Sequence, residues 1–156
     1  MKTIILYATK NGAVKQIAQS IADKMEGAQI YDLAQDGIPD ISQFDCVIIG
    51  SSIYAGAIRK EAKTFIQTHT IELCQKRLGL FLSGMDDKSE KTYFDTNFSA
   101  DLLQASVSHA FLGGIFDPKK AGMMGRFIMK AVTKQSDYTD NIMNERIESF
   151  VAEMLP

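Results

Sequence analysis

The fold is decided by residues 3–14, TIILYATKNGAV, in which an apolar run meets the start of an amphipathic helix. Thr3–Ala8 has the unbroken apolar character of a strand that is buried on both faces. The residues that follow repeat apolar side chains at helical spacing, beginning with Val14 and Ile17. A strand followed at once by a helix is the repeating unit of a parallel sheet covered by helices.

The turn inside this stretch, residues 9–14, has the chemistry of a phosphate site. Free backbone N–H groups and the positive end of the helix dipole point at one place there. The Thr9 hydroxyl and the Asn11 amide add donors, and Gly12 lets the main chain approach a ligand closely. The alternative is an ordinary strand-to-helix turn in which Thr9 or Asn11 caps the helix.

Two better-known nucleotide loops are absent from the chain. Neither the G-x-x-x-x-G-K-[ST] pattern nor the G-x-G-x-x-G fingerprint occurs. A hydroxyl-rich loop with a single glycine suits a terminal monophosphate better than a pyrophosphate. The loop therefore favours FMN over FAD or NAD as the cofactor.

The rest of the chain alternates apolar runs with amphipathic segments, which predicts an α/β fold with one parallel sheet and helices on both faces. Helices are expected around Ile17, Phe65 and Phe150, the last with Thr139 or Asp140 as its N-cap. The turn at residues 36–39 leaves no room for a helix between the second and third strands. The predicted strands are Thr3–Ala8, Ala28–Leu33, Cys46–Gly50, Leu78–Ser83 and Val107–Gly113.

Composition limits the classes of protein that fit. With 156 residues and 46% hydrophobic content, the chain can bury one core, so residues 1–156 are expected to form a single domain. The net charge of −2 is small, and we expect no nucleic-acid partner. Cys46 and Cys74 lack the spacing of a metal site, and no catalytic nucleophile is expected. The amino-terminal apolar run is too short for a signal peptide, so a cytoplasmic location is expected.

Two further loops are predicted to reach the same carboxyl edge of the sheet. After the third strand, Ser51 and Ser52 offer hydroxyl groups and Tyr54 offers a ring for stacking on a planar cofactor. The serines are equally suited to capping a helix, and the tyrosine to lying half-exposed in a loop. After the fourth strand, the backbone of residues 83–85 can bond the edge of a flavin. Asp86 and Asp87 next to it are expected to be solvated loop charges.

These three loops together resemble the flavodoxin family, and the resemblance covers essentially the whole chain. It rests on the phosphate loop at Thr9–Val14, on Gly50-Ser51-Ser52-Ile53-Tyr54, and on Ser83-Gly84. Within the family, Asn11-Gly12 and the late segment Gly125–Lys130 are similar to the branch of menaquinone-dependent protoporphyrinogen oxidase. Flavodoxins usually have a threonine where this chain has Val14, and the chain has no tryptophan to stack on a flavin.

The resemblance implies a flavodoxin-like three-layer sandwich with strand order 2-1-3-4-5, non-covalent FMN, and electron transfer without a protein nucleophile or a metal. Because Val14 lacks the hydroxyl group of that threonine, FMN binding is expected to be weaker by about 1 kcal/mol. The cofactor-binding residues expected are Thr9, Lys10, Asn11, Gly12, Ala13, Val14, Ser51, Ser52, Ile53, Tyr54, Ala55, Gly56, Ser83, Gly84 and Met85.

The least generic segment is residues 119–134, which is predicted to form an extra helix. It carries five of the 17 basic residues and no acid, so the other 12 face all 19 acidic residues. Its methionine-rich apolar face is expected to pack against the sheet, as such stripes usually do. The alternative is a lid or a docking surface that touches a membrane peripherally.

Two redox functions stay open at this point. One is an FMN-dependent oxidoreductase that passes electrons from a reduced small-molecule donor to a quinone or protein acceptor. The other is a flavodoxin-type electron carrier between redox partner proteins. Carriers of the family usually present a negative surface, so the basic late segment favours the oxidoreductase. A scaffold or receiver domain without flavin ranks last, since the first strand ends without clustered acids.

Overall fold

The computed structural model describes residues 1–134 and 137–156, except for the side chain of Val132. Five parallel strands form a sheet in which the first strand lies between the second and the third. This order confirms the predicted α/β class and the order 2-1-3-4-5. A two-residue antiparallel strand beside the third one adds a sixth member. With all strands numbered in chain order, the sheet contains β1 (Thr3–Ala8), β2 (Gln29–Asp32), β3 (Cys46–Tyr54), β4 (Ala57–Ile58), β5 (Arg77–Ser83) and β6 (Ser106–Phe111).

Helices cover both faces of this sheet. The core is divided accordingly into two clusters of buried side chains, one containing Leu80 and Phe111 and the other containing Ile17, Phe81 and Phe150. The described helices are α1 (Ala13–Ala22), α2 (Lys60–Leu73), α3 (Glu90–Asn97), α4 (Ala100–Ala105), α5 (Gly122–Val132) and α6 (Asn144–Met154), with short 3₁₀ turns at Ile41–Gln43 and Asp87–Ser89.

Helices α3 and α4 were not predicted from the sequence pattern. Each buries only one side chain completely enough to count as core, Phe94 in α3 and Leu102 in α4. A short helix with one fully buried side chain has almost no apolar periodicity to detect. The connection between the second and third strands holds only a three-residue turn, in agreement with the expected lack of a helix.

The prediction for the start of the last helix is wrong. Thr139–Asp140 is a strand, β8, which pairs antiparallel with β7 (Ile115–Phe116). Helix α6 begins four residues later, behind Met143 and without a side-chain cap. The Asp140 carboxylate instead accepts a hydrogen bond from the backbone N–H of Ile142. Thr139 and Asp140 have side chains that can cap a helix. They form a strand instead, because they pair with β7, which is distant in sequence.

The ribbon of β7 and β8 carries α5 between its two strands, as an insertion between β6 and α6. Helix α5 is shorter than the predicted 119–134 segment. The insertion leaves the sheet through Gly113 and Gly114. On its return, the N–H of Asn141 donates to the carbonyl oxygen of Gly114, and the N–H of Met143 donates to that of Leu112. The insertion therefore begins and ends at the carboxyl edge of the sheet.

Candidate functional site

The loops after β1, β3 and β5 converge on one pocket at the carboxyl edge of the sheet. Eleven of the fifteen residues predicted to bind a cofactor line it. They are Thr9, Lys10, Asn11, Ala13, Ser52, Ile53, Tyr54, Ala55, Ser83, Gly84 and Met85. The topology brings them together, because parallel strands end at the same edge of the sheet.

Four predicted residues lie outside the lining of this pocket. Gly12 is not part of the lining, and Gly56 lines an adjoining cavity instead. Ser51 is buried beneath the pocket floor. The Val14 side chain is fully buried in the core, so only its backbone N–H can face a ligand.

Helix α1 begins at the pocket with its donors free. Gly12 precedes it in the left-handed conformation, with φ 93°, and no side chain caps the helix. The Thr9 hydroxyl oxygen accepts from the Gly12 N–H at 2.9 Å, which braces the loop and leaves the hydroxyl hydrogen available. The first N–H groups of the helix have no acceptor within it. The alternative in which Thr9 or Asn11 caps this helix is therefore not observed. Free N–H groups at the start of a helix are suited to binding an anion.

The loop after β3 is a tight hairpin that leads directly into β4. Its two turn residues, Ala55 and Gly56, both have positive φ, 49° and 79°. Two left-handed residues in a row match the twist of a two-residue hairpin. For an alanine this conformation is strained, and such strain concentrates at functional sites. The turn projects over the pocket, which Ala55 lines.

Asn97 of α3 holds this hairpin in place, and sequence analysis missed it. Its amide nitrogen donates to the carbonyl oxygens of Gly56 and Tyr93, at 2.9 and 2.8 Å. Its amide oxygen accepts from the N–H of Ile58 at 3.0 Å. Because Asn97 lies 41 residues from Gly56, no local pattern signals this contact.

The two serines of the hairpin strand have different surroundings. The Ser51 hydroxyl oxygen accepts from the N–H of Arg59 at 2.9 Å and donates to the carbonyl oxygen of Ser52. Arg59 directly precedes α2, so Ser51 braces the entry to that helix. Ser52 lines the pocket, and its hydroxyl is buried without a hydrogen-bond partner. A buried hydroxyl without a partner is costly, and a ligand in the pocket would remove that cost.

Lys10 and Tyr54 join the first two loops across the mouth of the pocket. The Lys10 ammonium lies 3.7 Å from the centroid of the Tyr54 ring, which is a cation–π contact. Tyr54 is half-buried, which is compatible both with stacking on a planar ligand and with the alternative of a half-exposed loop aromatic. One face of its ring is thus covered by a charge that a planar ligand would displace.

The third loop contributes backbone groups and the carboxylate of Asp86, which accepts hydrogen bonds from its neighbours. Gly84 donates its N–H to the carbonyl oxygen of Gly113, which ties the loop after β5 to the loop after β6. Asp86 accepts from the Ser89 hydroxyl at 2.6 Å and from the Tyr93 hydroxyl at 3.2 Å. The Ser89 bond is the main cause of a lowered pKa for Asp86, while burial, followed by the Asp86 charge, raises the pKa of Tyr93. Asp87 is exposed, so the expectation of a solvated loop charge is met for Asp87 but not for Asp86.

Helix α5 forms the roof of the pocket. Ala121, Gly125, Ile128 and Met129 line the pocket from above, and Gly114, Ile115 and Phe116 close one side. The expectation that the apolar face of this helix packs against the sheet is wrong. One side of the helix covers the pocket, and the opposite side contacts no other described element. The apolar side chains on that opposite side are therefore exposed: 87% for Met123, 67% for Met124 and 72% for Phe127.

The enclosed space beneath the roof is small. The pocket has a volume of about 120 Å³, and an adjoining cavity of about 90 Å³ shares Ile53, Met85 and Met129 with it. Pockets that bury a cofactor-sized ligand usually span roughly 300–1,000 Å³. The space beneath the roof is therefore smaller than a ligand of that size occupies.

Other site chemistries find no support in the part of the chain that the structure describes. Residues 1–134 and 137–156 contain no cluster of three or more side chains that could hold a metal ion. Cys46 and Cys74 are both free thiols, and burial raises the pKa of Cys46 to about 11. Over the same residues, no helix has both the length and the apolar character needed to cross a membrane.

The chain was compared with known proteins. A family model described as the flavodoxin domain matches residues 4–142. The protoporphyrinogen IX dehydrogenase (quinone) of Escherichia coli strain K12 is 29% identical over 146 residues, which cover 87% of this chain and 81% of that protein.

Solved structures agree on the fold. Oxidised flavodoxin 2 from Bacillus cereus superposes with a TM-score of 0.62 at 19% identity, and covers 99% of this chain and 97% of its own. A flavodoxin from Streptococcus pneumonia TIGR4 gives a TM-score of 0.59 at 17% identity, with the same coverage. At these identities the likeness concerns the fold alone.

Proposed function

The chain belongs to the flavodoxin domain family, and from that membership we propose that it binds FMN non-covalently and transfers electrons through it. The observation that carries the proposal is the meeting of two unsatisfied groups in one pocket. The uncapped start of α1 offers donors to an anion, and the buried Ser52 hydroxyl has no partner. Both groups carry a cost in free energy that a phosphorylated, polar ligand would relieve.

The residues present fit the chemical parts of FMN. The first loop, with Thr9, Asn11 and the N–H groups of α1, would hold the phosphate. Ser52 would bond the ribityl chain or the ring edge, and the backbone of residues 83–85 would bond the pyrimidine side. Tyr54 would stack on the ring once Lys10 leaves its face. The apolar side chains of Ile53, Ile128 and Met129 would exclude water from the ring.

When bound, FMN supplies the electron transfer, and the protein supplies orientation and electrostatics. The Asp86 carboxylate, held ionised by Ser89 and Tyr93, lines the cavity next to the pocket. A negative charge there opposes further negative charge in the site. Its expected effect is a lower reduction potential of the bound cofactor.

We further propose that the chain is an oxidoreductase that passes electrons from a reduced small-molecule substrate to a quinone or protein acceptor. The inserted ribbon and α5 support this, because they add an apolar roof to the pocket that the three loops form. The Escherichia coli relative, whose name specifies protoporphyrinogen IX and a quinone, supports the same class of reaction. The cytoplasmic location expected from the sequence stays a prediction.

An electron carrier between redox proteins is the second candidate. The Bacillus cereus and Streptococcus structures are flavodoxins and share the fold of the whole chain. The exposed apolar side chains of α5, next to the pocket, are a surface that a partner protein could also use. The two candidates differ in whether a small molecule reduces or oxidises the loaded protein directly.

The first experiment is an absorption spectrum after mixing with FMN and desalting, followed by anaerobic turnover. Retained flavin bands are expected, with protoporphyrinogen or another reduced small molecule bleaching them and a soluble quinone restoring them. Bands that respond only to a redox protein would favour the carrier. Complete loss of flavin on desalting would contradict the cofactor proposal.

A further inference from the structure

The outer side of α5 has a composition that the pocket does not explain. Among the described residues, eight large apolar side chains are exposed, and three of them lie within five residues of one another on this helix. We define the outer patch as Met123, Met124 and Phe127. None of the three lines the pocket, whereas Ala121, Gly125, Ile128 and Met129 do. Isolated exposed apolar residues need no explanation, but a cluster of large ones does.

The charged side chains of residues 119–134, the segment that carries the outer patch, are all of one sign. Arg126 and Lys130 lie on the exposed side of α5, Lys119 and Lys120 precede the helix, and Lys134 follows it; all five are exposed. No acidic residue occurs between Asp117 and Asp137. The rest of the chain carries all 19 acids against 12 basic residues. The positive charge is therefore concentrated where the apolar side chains protrude.

We propose that the outer patch and its surrounding basic residues dock on the surface of an anionic lipid bilayer. A protruding apolar patch with flanking lysines and arginines is the arrangement that lies in a membrane interface, with its apolar side chains among the acyl chains and its cations at lipid phosphates. The attachment is peripheral, since no described helix can span a bilayer.

A protein partner fits these observations less well. Three side chains on an 11-residue helix are few beside the roughly 20 to 30 residues a side of a stable protein interface. The patch is convex, so it supplies no groove for a complementary chain. Insertion into lipid makes no such demand for shape, and unbranched methionine side chains adapt to a fluid surface.

Docking by this side places the roof of the pocket against the bilayer. Pocket-lining and exposed residues lie on the same turns of α5. A lipid that contacts Phe127 is therefore separated from the pocket, which Ile128 and Met129 line, only by the width of this one helix. A lipid-dissolved electron acceptor would then meet the pocket at the membrane surface. This consequence rests on the proposed FMN function, whereas the docking itself does not.

The test is co-sedimentation of the full chain, with and without FMN, with two kinds of vesicle. One contains equal parts of phosphatidylglycerol and phosphatidylcholine, and the other contains phosphatidylcholine alone. Partitioning onto the anionic vesicles is expected to be at least about tenfold stronger, and to fall in high salt. Equal partitioning onto both, or none onto either, would overturn the proposal.

Variants separate the patch from the rest of the surface. The triple change Met123→Ser, Met124→Ser and Phe127→Ser is expected to reduce partitioning by about tenfold or more. Ile71→Ser is the matched control, because Ile71 is 80% exposed on α2, outside the insertion. Lys119→Glu with Lys120→Glu is expected to reduce partitioning similarly, and Lys63→Glu with Lys88→Glu to leave it unchanged. A triple variant that binds like the parent would overturn the proposal.

Two further readouts make the outcomes distinct. Sedimentation velocity without lipid detects a second copy as the occupant; a dimer that the triple variant abolishes would overturn membrane docking in favour of self-association. Circular dichroism and the FMN spectrum of every variant verify its fold and pocket. Vesicle binding by a protein that retains no FMN would refute the proposed cofactor alone, and FMN binding without vesicle binding would refute the docking alone.

Discussion

The carboxyl-edge loops and the inserted roof form opposite walls of one pocket, but they are built differently. The loops around Thr9, Ser52 and Gly84 are the ends of buried strands. The first is braced by its own Gly12, and the other two by hydrogen bonds to Asn97 and Gly113. The roof is a single helix on a two-stranded ribbon, with its outer side open to solvent. One wall is fixed by the core and the other is attached to it by a few backbone bonds.

This difference assigns separate tasks to the two walls. The loops supply polar groups at fixed positions, which is what recognition of a phosphate and a flavin edge requires. The roof supplies apolar surface on both of its sides, which suits exclusion of water inside and contact with a partner outside. Cofactor affinity should therefore depend on the loops, while access and partner choice should depend on the roof.

The largest effect is expected where the two walls join, at Gly113. Its φ is 75°, and a Cβ there would overlap the carbonyl oxygen of Asn141, which follows the ribbon. Gly113→Ala should lower the free energy of unfolding by about 3 kcal/mol, in a urea titration. Gly27→Ala is the control, since its φ of 73° is similar but nothing crowds it, and it should cost about 1 kcal/mol. Equal losses would mean that the junction is not packed as described.

The next effect concerns Asn97, which holds the hairpin wall. Asn97→Ala removes bonds to Gly56, Ile58 and Tyr93 and should lower the free energy of unfolding by about 2 kcal/mol. FMN affinity, measured by fluorescence quenching, should fall as the hairpin loosens. The exposed neighbour Thr96 serves as control, and Thr96→Ala should change stability by no more than about 0.5 kcal/mol. Normal FMN affinity in the Asn97 variant would separate the hairpin from the cofactor site.

Ser51 and Ser52 sharpen the comparison within the loop wall. Ser51→Ala should destabilise the protein by about 1 kcal/mol, because the N–H of Arg59 loses its acceptor. Ser52→Ala removes a hydroxyl without a protein partner, so it should leave the stability of the FMN-free protein unchanged or higher. It should weaken FMN binding by about 1 kcal/mol, or roughly fivefold in Kd by titration calorimetry. The reverse pattern would show that Ser51, not Ser52, faces the ligand.

A smaller effect is expected from pH at Asp86. Hydrogen bonds in the folded state lower its pKa below the ordinary value of 3.8. Its stabilising contribution is therefore fully present above that value and is lost as the pH falls through the lower folded pKa. The stability difference between the parent and Asp86→Asn should shrink from about pH 6 to about pH 3 in urea titrations. A difference independent of pH would mean that the carboxylate is not held in its charged form.

The smallest effect is expected from the outer patch on cofactor affinity. The triple serine variant of Met123, Met124 and Phe127 should bind FMN within about twofold of the parent in Kd, since these side chains do not line the pocket. Fluorescence titration of the two proteins measures this. A large loss of affinity would remove the division of tasks between the loops and the roof.

Much of the loop wall was predictable from local patterns. The apolar run Thr3–Ala8 and the helix after it are signalled by periodicity, and the polar residues between them by type. Asn97 was not predictable, because its role depends on a contact between α3 and a hairpin 41 residues away. The roof was half predictable: its apolar and basic residues were evident, but the side facing the pocket was not.

By itself, the sequence determined the α/β class and the loops that meet at the carboxyl edge, because buried strands and amphipathic helices leave periodic signals along the chain. The strand order followed only from the resemblance to flavodoxins. Tertiary structure alone decided that Ser52 faces the pocket while Ser51 does not, and that Thr139 and Asp140 form a strand. It also decided that α5 covers the pocket with one side and exposes the other. The physical reason is that each of these outcomes is set by which distant element a residue packs against, and residue type and spacing do not carry that information.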